Sequence, residues 1–383
     1  MELREDRSGK YLKMDVTNEK NVDVSIMTAL EQDLSEGSDP KDEEVFQAIK
    51  RSLIIGQTDR NINRFRADGF MLTAQEKNWI DRNPDKSIQE YLIYRYKFRV
   101  FPRIRKLTSF PLHVLIEPTS LCNIRCVMCF QVDKSFTKPE FMGRMPIDRF
   151  KKIVDEVRRE GGKAITLASR GEPTLHKDLP EMLSILNNSG ILDKKLNTNA
   201  IKLTESISNA ILSNNINEVV FSVDAGTKET YESIRKGGVF EEVVENIRQF
   251  NFIRERSFPQ SPTITRISGV KVRDDQDLSQ MIDFWSELVD EVSIKPAQPR
   301  WDTYNNEKSN RTSSCDFLWE RTYVWYDGAI NPCDFDYKSY LKVGNIDEIS
   351  LKQAWNGPAY EFLRARHTEQ QRNLVVPCDR CPL

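Results

Sequence analysis

The chain has 383 residues, 39% of them hydrophobic and 30% charged, with a formal net charge of −2. That length holds one large domain with appendages or two to three smaller ones, and so small a charge excludes any bulk electrostatic case for nucleic-acid binding. No apolar run approaches the ~20 residues of a membrane-spanning helix, and the N-terminus lacks the apolar stretch of a signal peptide. Seven cysteines without an export signal favour metal ligation in a reducing cytoplasm over disulfides.

Residues 1–108 differ in pattern from the rest and read as a mostly helical N-terminal extension with an acidic linker. From Glu31 to Glu44 there are seven acidic residues against one lysine, with Gly37 and Pro40 as breakers, which predicts a solvated linker or frayed loop. Thr73-Ala-Gln-Glu76 has the pattern of a capping box, so a helix is expected to start there. Between Tyr91 and Lys106 the charge reverses: Arg95, Lys97, Arg99, Arg103, Arg105 and Lys106 stand among five aromatics and no acid. Two readings follow, a solvated helix packing its aromatics onto the rest of the molecule, or an anion-binding lip.

Residues 109–300 are rhythmic. Short apolar runs predict strands at Leu112–Glu117, Ala164–Ser169, Lys194–Thr198, Glu218–Val223, Thr263–Val270 and Glu291–Lys295. Helical spacing intervenes, most clearly at Ile147, Phe150, Val154 and Val157, and again at Leu179, Met182, Leu183 and Leu186. Strand–helix alternation implies an α/β fold with a parallel sheet. Six units fall short of an eight-fold barrel, so an open partial (β/α)6 barrel is expected, with function at the C-terminal ends of its strands.

The loop after the first of these strands carries Cys122, Cys126 and Cys129 in C-x3-C-x2-C spacing. Three thiolates leave one iron of a four-iron cluster open to a small-molecule ligand; a zinc knuckle or three incidental cysteines is the plainer alternative. The segment Glu117 to Phe130 resembles the radical S-adenosylmethionine (radical SAM) superfamily, over roughly residues 110–300. The resemblance implies a [4Fe–4S] cluster, S-adenosylmethionine on its unique iron, and a 5′-deoxyadenosyl radical that removes hydrogen from a substrate. It also implies cofactor contacts. In Ser169-Arg-Gly-Glu-Pro173, where relatives commonly have Gly-Gly-Glu-Pro, Gly171 and Glu172 would meet the cofactor, while Ser169 and Arg170 depart from the pattern. Asn199 would reach the ribose, Ser222 would hydrogen-bond the cofactor, Arg235 would fork onto its methionyl carboxylate, and Met128 would pack on the adenine.

Residues 301–383 hold Cys315, Cys333, Cys378 and Cys381. Twelve residues, Gly328 and four more separate the first two cysteines, and Tyr323 to Pro332 reads as a hairpin turning at Asp327-Gly328. This region resembles a SPASM domain, or its shortened relative the twitch domain, which implies one auxiliary [4Fe–4S] cluster closed by four cysteines. The spacings alone also permit a four-cysteine zinc site. The three histidines form no common site; His176 is the one expected nearest a substrate. Arg300 and Asp316 are the candidate substrate residues, the former on the segment leaving the sixth strand, the latter beside a cluster ligand.

With all seven cysteines committed, no thiol remains to deliver hydrogen in an epimerisation, although a tyrosine could. A closed auxiliary cluster suits oxidation instead. The resemblance extends to twitch-domain enzymes of the 2-deoxy-scyllo-inosamine dehydrogenase type, so the expected reaction is oxidation of a sugar or aminocyclitol alcohol. The partners are then a small carbohydrate-like substrate and a flavodoxin- or ferredoxin-type electron donor. Peptide modification, epimerisation and a zinc-stabilised binding protein are the alternatives.

Overall fold

All six apolar runs become parallel strands of one sheet, which the chain extends at both edges. The computed structural model describes residues 4–6, 10–14, 19–32, 34, 39–58 and 66–383. In chain order the strands are β1 (Arg4–Asp6), β2 (Lys10–Met14), β3 (His113–Ile116), β4 (Arg125–Cys126), β5 (Ala164–Leu167), β6 (Asp193–Thr198), β7 (Glu218–Ser222), β8 (Arg235–Lys236), β9 (Ile264–Lys271), β10 (Glu291–Pro296), β11 (Arg321–Val324), β12 (Ala329–Asn331) and β13 (Gly344–Asn345). The helices are α1 (Glu19–Glu31), α2 (Pro40–Thr58), α3 (Ala74–Arg82), α4 (Ile88–Val100), α5 (Ile147–Arg159), α6 (Leu179–Asn187), α7 (Glu205–Ser213), α8 (Lys228–Ile234), α9 (Phe240–Ser257), α10 (Leu278–Ser286), α11 (Phe317–Glu320), α12 (Leu351–Trp355) and α13 (Pro358–Thr368).

The main sheet runs β1-β2-β10-β9-β7-β6-β5-β3-β11-β12-β13, and β4 pairs only with β8. From β3 to β10 the pairing is parallel: His113 faces Ala164, and Ala164 faces Asp193. Two additions lie beyond the six expected strands. The antiparallel strand β2 covers the β10 edge. At the other edge β11 pairs in parallel with β3, Arg321 facing His113, and continues into the hairpin with β12. That hairpin turns at Asp327-Gly328, where Gly328 takes φ +85°, a conformation glycine reaches without cost.

Helix spacing sets the outer layer. Phe150, Ile153, Val154 and Val157 form the buried stripe of α5, and Leu179, Met182, Leu183 and Leu186 that of α6. Each such side chain contributes about 1.5–3 kcal/mol by leaving water. Helix α5 ends where Gly161 turns to φ +79°, the left-handed stop common after helices.

The N-terminal segment closes the base of the sheet. Trp79, Tyr91, Leu92 and Tyr94 pack with Leu112, Ala164, Leu192 and Ile264 at the strand starts, and Trp79 stacks on Tyr91 at 3.8 Å between ring centres. The capping box at Thr73 and Glu76 is present and opens α3. Most cations of the basic segment are paired within the molecule, while Arg103 and Lys106 are exposed. Arg95 and Arg99 both bind the buried Glu76, at 2.8 and 2.9 Å. Lys97 pairs with Asp42, and Arg103 donates to the Gly69 carbonyl at 2.7 Å. The helix packs its aromatics as expected, but at the opposite end of the strands from the cysteine loop. The acidic linker is also shorter than expected: Glu31 closes α1, and Asp42 and Glu43 form the first turn of α2, where acids favour the helix dipole. Residues 33 and 35–38 of that stretch lie outside the described residues. Among the described residues no helix is long and apolar enough to cross a membrane.

Candidate active site

The chain leaving β3 is folded by its own short side chains before it reaches the cysteines. Thr119 Oγ1 donates to the Gly143 carbonyl at 2.7 Å and accepts from Leu121 N at 3.1 Å. Ser120 Oγ accepts from Gly143 N at 2.9 Å. Cys126 then enters the two-residue strand β4, and the Cys129 amide closes a turn onto the Cys126 carbonyl at 3.0 Å. The result is a cavity of about 320 Å³ at the C-terminal mouth of the sheet, with Cys122, Cys126, Met128 and Cys129 in its wall. Gly171, Glu172, Asn199, Ser222, Arg235 and Arg300 line the same cavity. Residues expected from six separate segments therefore share one space.

All seven cysteines are free thiols. Burial pushes Cys122 up to about 11 and Cys126 to about 12, and raises Cys129 as well. Buried thiols of this kind are neutral on their own and would lose their protons on binding a metal. Among the described residues no three His, Cys, Asp or Glu side chains converge closely enough to hold a single ion. The thiols of each group nevertheless lie within electrostatic reach of one another: Cys122 and Cys126 each sense Cys129, and Cys333 senses Cys315, Cys378 and Cys381. In the second group Phe335 N donates to Cys333 Sγ at 3.3 Å, and the Cys315 amide is held by His367 Nδ1 at 3.0 Å.

Gly171 has one conformation-independent reason to be glycine: a Cβ there would lie 2.2 Å from the Thr119 carbonyl oxygen. The Glu172 amide donates to the Leu121 carbonyl at 2.8 Å, so this loop is laid directly on the cysteine loop. The Glu172 carboxylate accepts four hydrogen bonds, from Thr174 N and Oγ1, Thr198 Oγ1 and Asn199 N, at 2.7–3.0 Å. Burial still raises its pKa. Asn199 donates to Asn123 Oδ1 at 2.8 Å.

Arg170, which departs from the family pattern, is buried and forks onto Glu117 at 2.5 and 2.7 Å. It also donates to the Tyr337 carbonyl at 2.9 Å and lies 4.3 Å over the Trp325 ring. The residue thus ties the β3 end to the C-terminal segment. Ser169, the other departure, takes φ +112°, and its buried hydroxyl has no partner. Gln131 Oε1 and Asn197 Oδ1, in the same wall, are buried without partners too.

Three further cavity residues escape the sequence reading. Asp224 lies two residues after Ser222 and binds Arg235 Nε at 2.7 Å. Asp334 follows Cys333, accepts from Arg300 Nη2 at 2.5 Å and from the Tyr323 hydroxyl at 3.3 Å. Tyr323 itself stands in the wall. Their signals were present, as the acid of a Ser-x-Asp element and as an acid adjoining a ligand. Two expectations need correcting. Asp316 is not part of the cavity; its half-exposed carboxylate is drawn instead to Arg105, with which it pairs at 3.0 Å. His176 is buried with Nε2 on the Met145 carbonyl at 3.0 Å and Nδ1 accepting from Asp178 N at 3.1 Å, a structural role away from the cavity.

Comparison with known proteins adds the following. Residues 116–284 match the radical SAM superfamily, and residues 315–382 match SPASM, an iron–sulfur cluster-binding domain. A probable GTP 3′,8-cyclase of Methanococcus maripaludis is 32% identical over 145 residues, 38% of this chain and 46% of that protein. The chain thus spans about half the length of that curated relative. A cysteine-type anaerobic sulfatase-maturating enzyme of Clostridium novyi is 25% identical over 70% of this chain and 85% of its own. Among solved structures, BtrN in complex with AdoMet and 2-DOIA superposes with a TM-score of 0.50 and 18% identity, over 71% of this chain and 93% of that one. Streptococcus suis SuiB bound to its precursor peptide SuiA gives 0.55 and 16%, over 84% and 80%. At these identities the structures are likenesses of fold.

Proposed function

The chain belongs to the radical SAM superfamily and carries a SPASM domain, and from that premise we propose that it oxidises an alcohol on a small, polyhydroxylated substrate. Membership brings a [4Fe–4S] cluster with S-adenosylmethionine, and auxiliary iron–sulfur ligation in the C-terminal region. Cys122, Cys126 and Cys129 would hold the first cluster, and Cys315, Cys333, Cys378 and Cys381 the second. Met128, Gly171, Glu172, Asn199 and Ser222 would form the cofactor's bed. When bound, these groups supply a 5′-deoxyadenosyl radical for hydrogen abstraction and a sink for the second electron.

The observation that carries the reading is Asp334. Its carboxylate opens on the cavity that holds the first cysteine group, yet its chain neighbour Cys333 belongs to the second. Of the three carboxylates in the wall, Glu172 is enclosed by four donors and Asp224 is paired with Arg235. Asp334 is held as well, by Arg300 and the Tyr323 hydroxyl; it is assigned the hydroxyl proton because it alone of the three adjoins a cysteine of the second group, on the side where the electron would leave. With the cofactors bound the step would balance: the carbon hydrogen would leave as an atom to the deoxyadenosyl radical, the hydroxyl hydrogen as a proton to Asp334, and the remaining electron to a cluster held by the second cysteine group, giving a ketone. Gln131 Oε1, Asn197 Oδ1 and Ser169 Oγ favour a ligand rich in O–H or N–H donors, because a buried acceptor without a partner costs about 1–3 kcal/mol.

Peptide modification is the competing reading, supported by the breadth of the sulfatase-maturating match. Carbon-deuterated cyclitols, aminocyclitols and peptides, each incubated with reconstituted enzyme and a flavodoxin- or ferredoxin-type reductant, separate the two. Label in 5′-deoxyadenosine together with a ketone product supports oxidation of an alcohol; label from peptides alone overturns it.

A further inference from the structure

We propose that Arg235 is the electrostatic counterpart of Cys126, placed to raise the reduction potential of a cluster held at the first cysteine group. The inference rests on the reading that Cys126 is a cluster ligand, and it adds a second role to the expectation that Arg235 meets the cofactor carboxylate.

The placement is made by backbone. In the β4–β8 ladder Cys126 stands directly across from Arg235, and Val127 N donates to the Ile234 carbonyl at 3.0 Å. Gly237, at φ +91°, turns the chain away next to Asn123 and Ile124, so the arginine is stitched to the cysteine loop itself. Its Nη1 lies 3.7 Å from Cys126 Sγ, while Nε faces Asp224 Oδ2 at 2.7 Å. Asp224 is fixed in turn, accepting from Val270 N at 2.8 Å, with its carbonyl held by Gln276 Nε2 at 2.7 Å. Both partners are buried, with side chains 8% and 1% exposed. These contacts use Nε and Nη1 and leave Nη2 with its two N–H donors for a further partner.

A fixed positive charge beside a ligand sulfur, in a site of low polarity, favours the more negative, reduced cluster. Hydrogen bonds to cluster sulfurs and local charge are among the levers that set iron–sulfur potentials. Asp224 opposes the effect while holding the guanidinium in place, so the two residues should shift the potential in opposite senses.

The test is an anaerobic redox titration of reconstituted holoenzyme followed by electron paramagnetic resonance. The cluster in question is identified as the one whose signal changes on adding S-adenosylmethionine. Arg235→Gln should lower its potential by the equivalent of about a tenfold change in the reduction equilibrium, ~59 mV for one electron. Arg235→Lys should keep most of the wild-type value, and Asp224→Asn should move it upward. An unchanged potential in Arg235→Gln, with the cluster present, overturns the proposal. If Arg235→Gln fails to assemble a cluster, Asp224→Asn decides, and no upward shift there counts against it. Cys126→Ala keeping its full iron content would instead sink the cluster assignment, which is a separate failure.

Discussion

At the base of the sheet three largely buried carboxylates are each held by two cations. Glu76 lies between Arg95 and Arg99, Asp290 between Arg254 and Arg82, and Glu218 between Lys195 and Arg266. At the mouth, side chains drawn from Leu115 to Asp334 converge on a wall where thiols are pushed towards neutrality and two amide oxygens and a hydroxyl lack partners. Both ends are buried and polar, so polarity alone does not mark the working end. What marks it is convergence on a space: the base has unpartnered buried atoms of its own, among them Trp79 Nε1, Asp193 Oδ1 and Arg266 Nε, but those at the mouth line a cavity that also holds three cysteines.

The largest break in this contrast should come from Cys126→Ala. S-adenosylmethionine cleavage is expected to fall to background and iron content by about half, with little change in the thermal transition of the apoprotein; iron, sulfide and 5′-deoxyadenosine assays read it. Next is Asp334→Asn, expected to reduce ketone formation by about 10²–10⁴-fold, the range for a lost proton acceptor. If product forms at the wild-type rate, the proton goes elsewhere.

At the base, Glu76→Gln should cost about 3 kcal/mol by leaving two arginines without their shared partner, measured by denaturant unfolding, with kcat per folded molecule unchanged. Burial alone would raise the Glu76 pKa, but Arg95 and Arg99 outweigh it and hold it below 4.5. A depressed folded value stabilises above the unfolded pKa and is lost as pH falls through the folded one. Wild type should therefore lose stability more steeply than the variant below about pH 4.5. The smallest effect sharpens the contrast most. Ser169→Gly should stabilise the fold by about 1 kcal/mol by relieving a positive φ, while weakening substrate binding. A variant that gains stability and keeps its KM would remove Ser169 from the binding surface.

The strands were legible because burial on both faces leaves uninterrupted apolar runs, as at Ala164–Leu167, where all four residues are buried. Helices were legible where one stripe is buried, as in α5. The cysteines announced themselves by spacing, and the residues after successive strands by their order. The hairpin of β11 and β12 was legible, but neither β2 nor the docking of β11 on β3 was, because what recruits them is the open edge of a distant strand rather than any pattern of their own. The fate of the basic segment at Arg95 and Arg99 was hidden for a similar reason: its partner Glu76 reads locally as a capping residue, and is one, while its second oxygen and its burial belong to tertiary structure. Asp224 and Asp334 were passed over because a neighbour in each motif drew the assignment, and only the cavity shows which side chain points inward.

The pairing of β11 with β3 bears on how this protein can be taken apart. Val114 and Ile116 on β3 are fully buried, and the Glu117 amide is bonded to the Val324 carbonyl at 2.9 Å. Cutting the chain near residue 300, the obvious way to isolate the barrel, would bare that whole strand edge with its unmatched amides and carbonyls. Such an edge is a template for another copy. The C-terminal segment is therefore also a selvage that keeps the sheet from self-assembly, and point substitution of its cysteines, not truncation, is the sound way to ask what its metal site contributes.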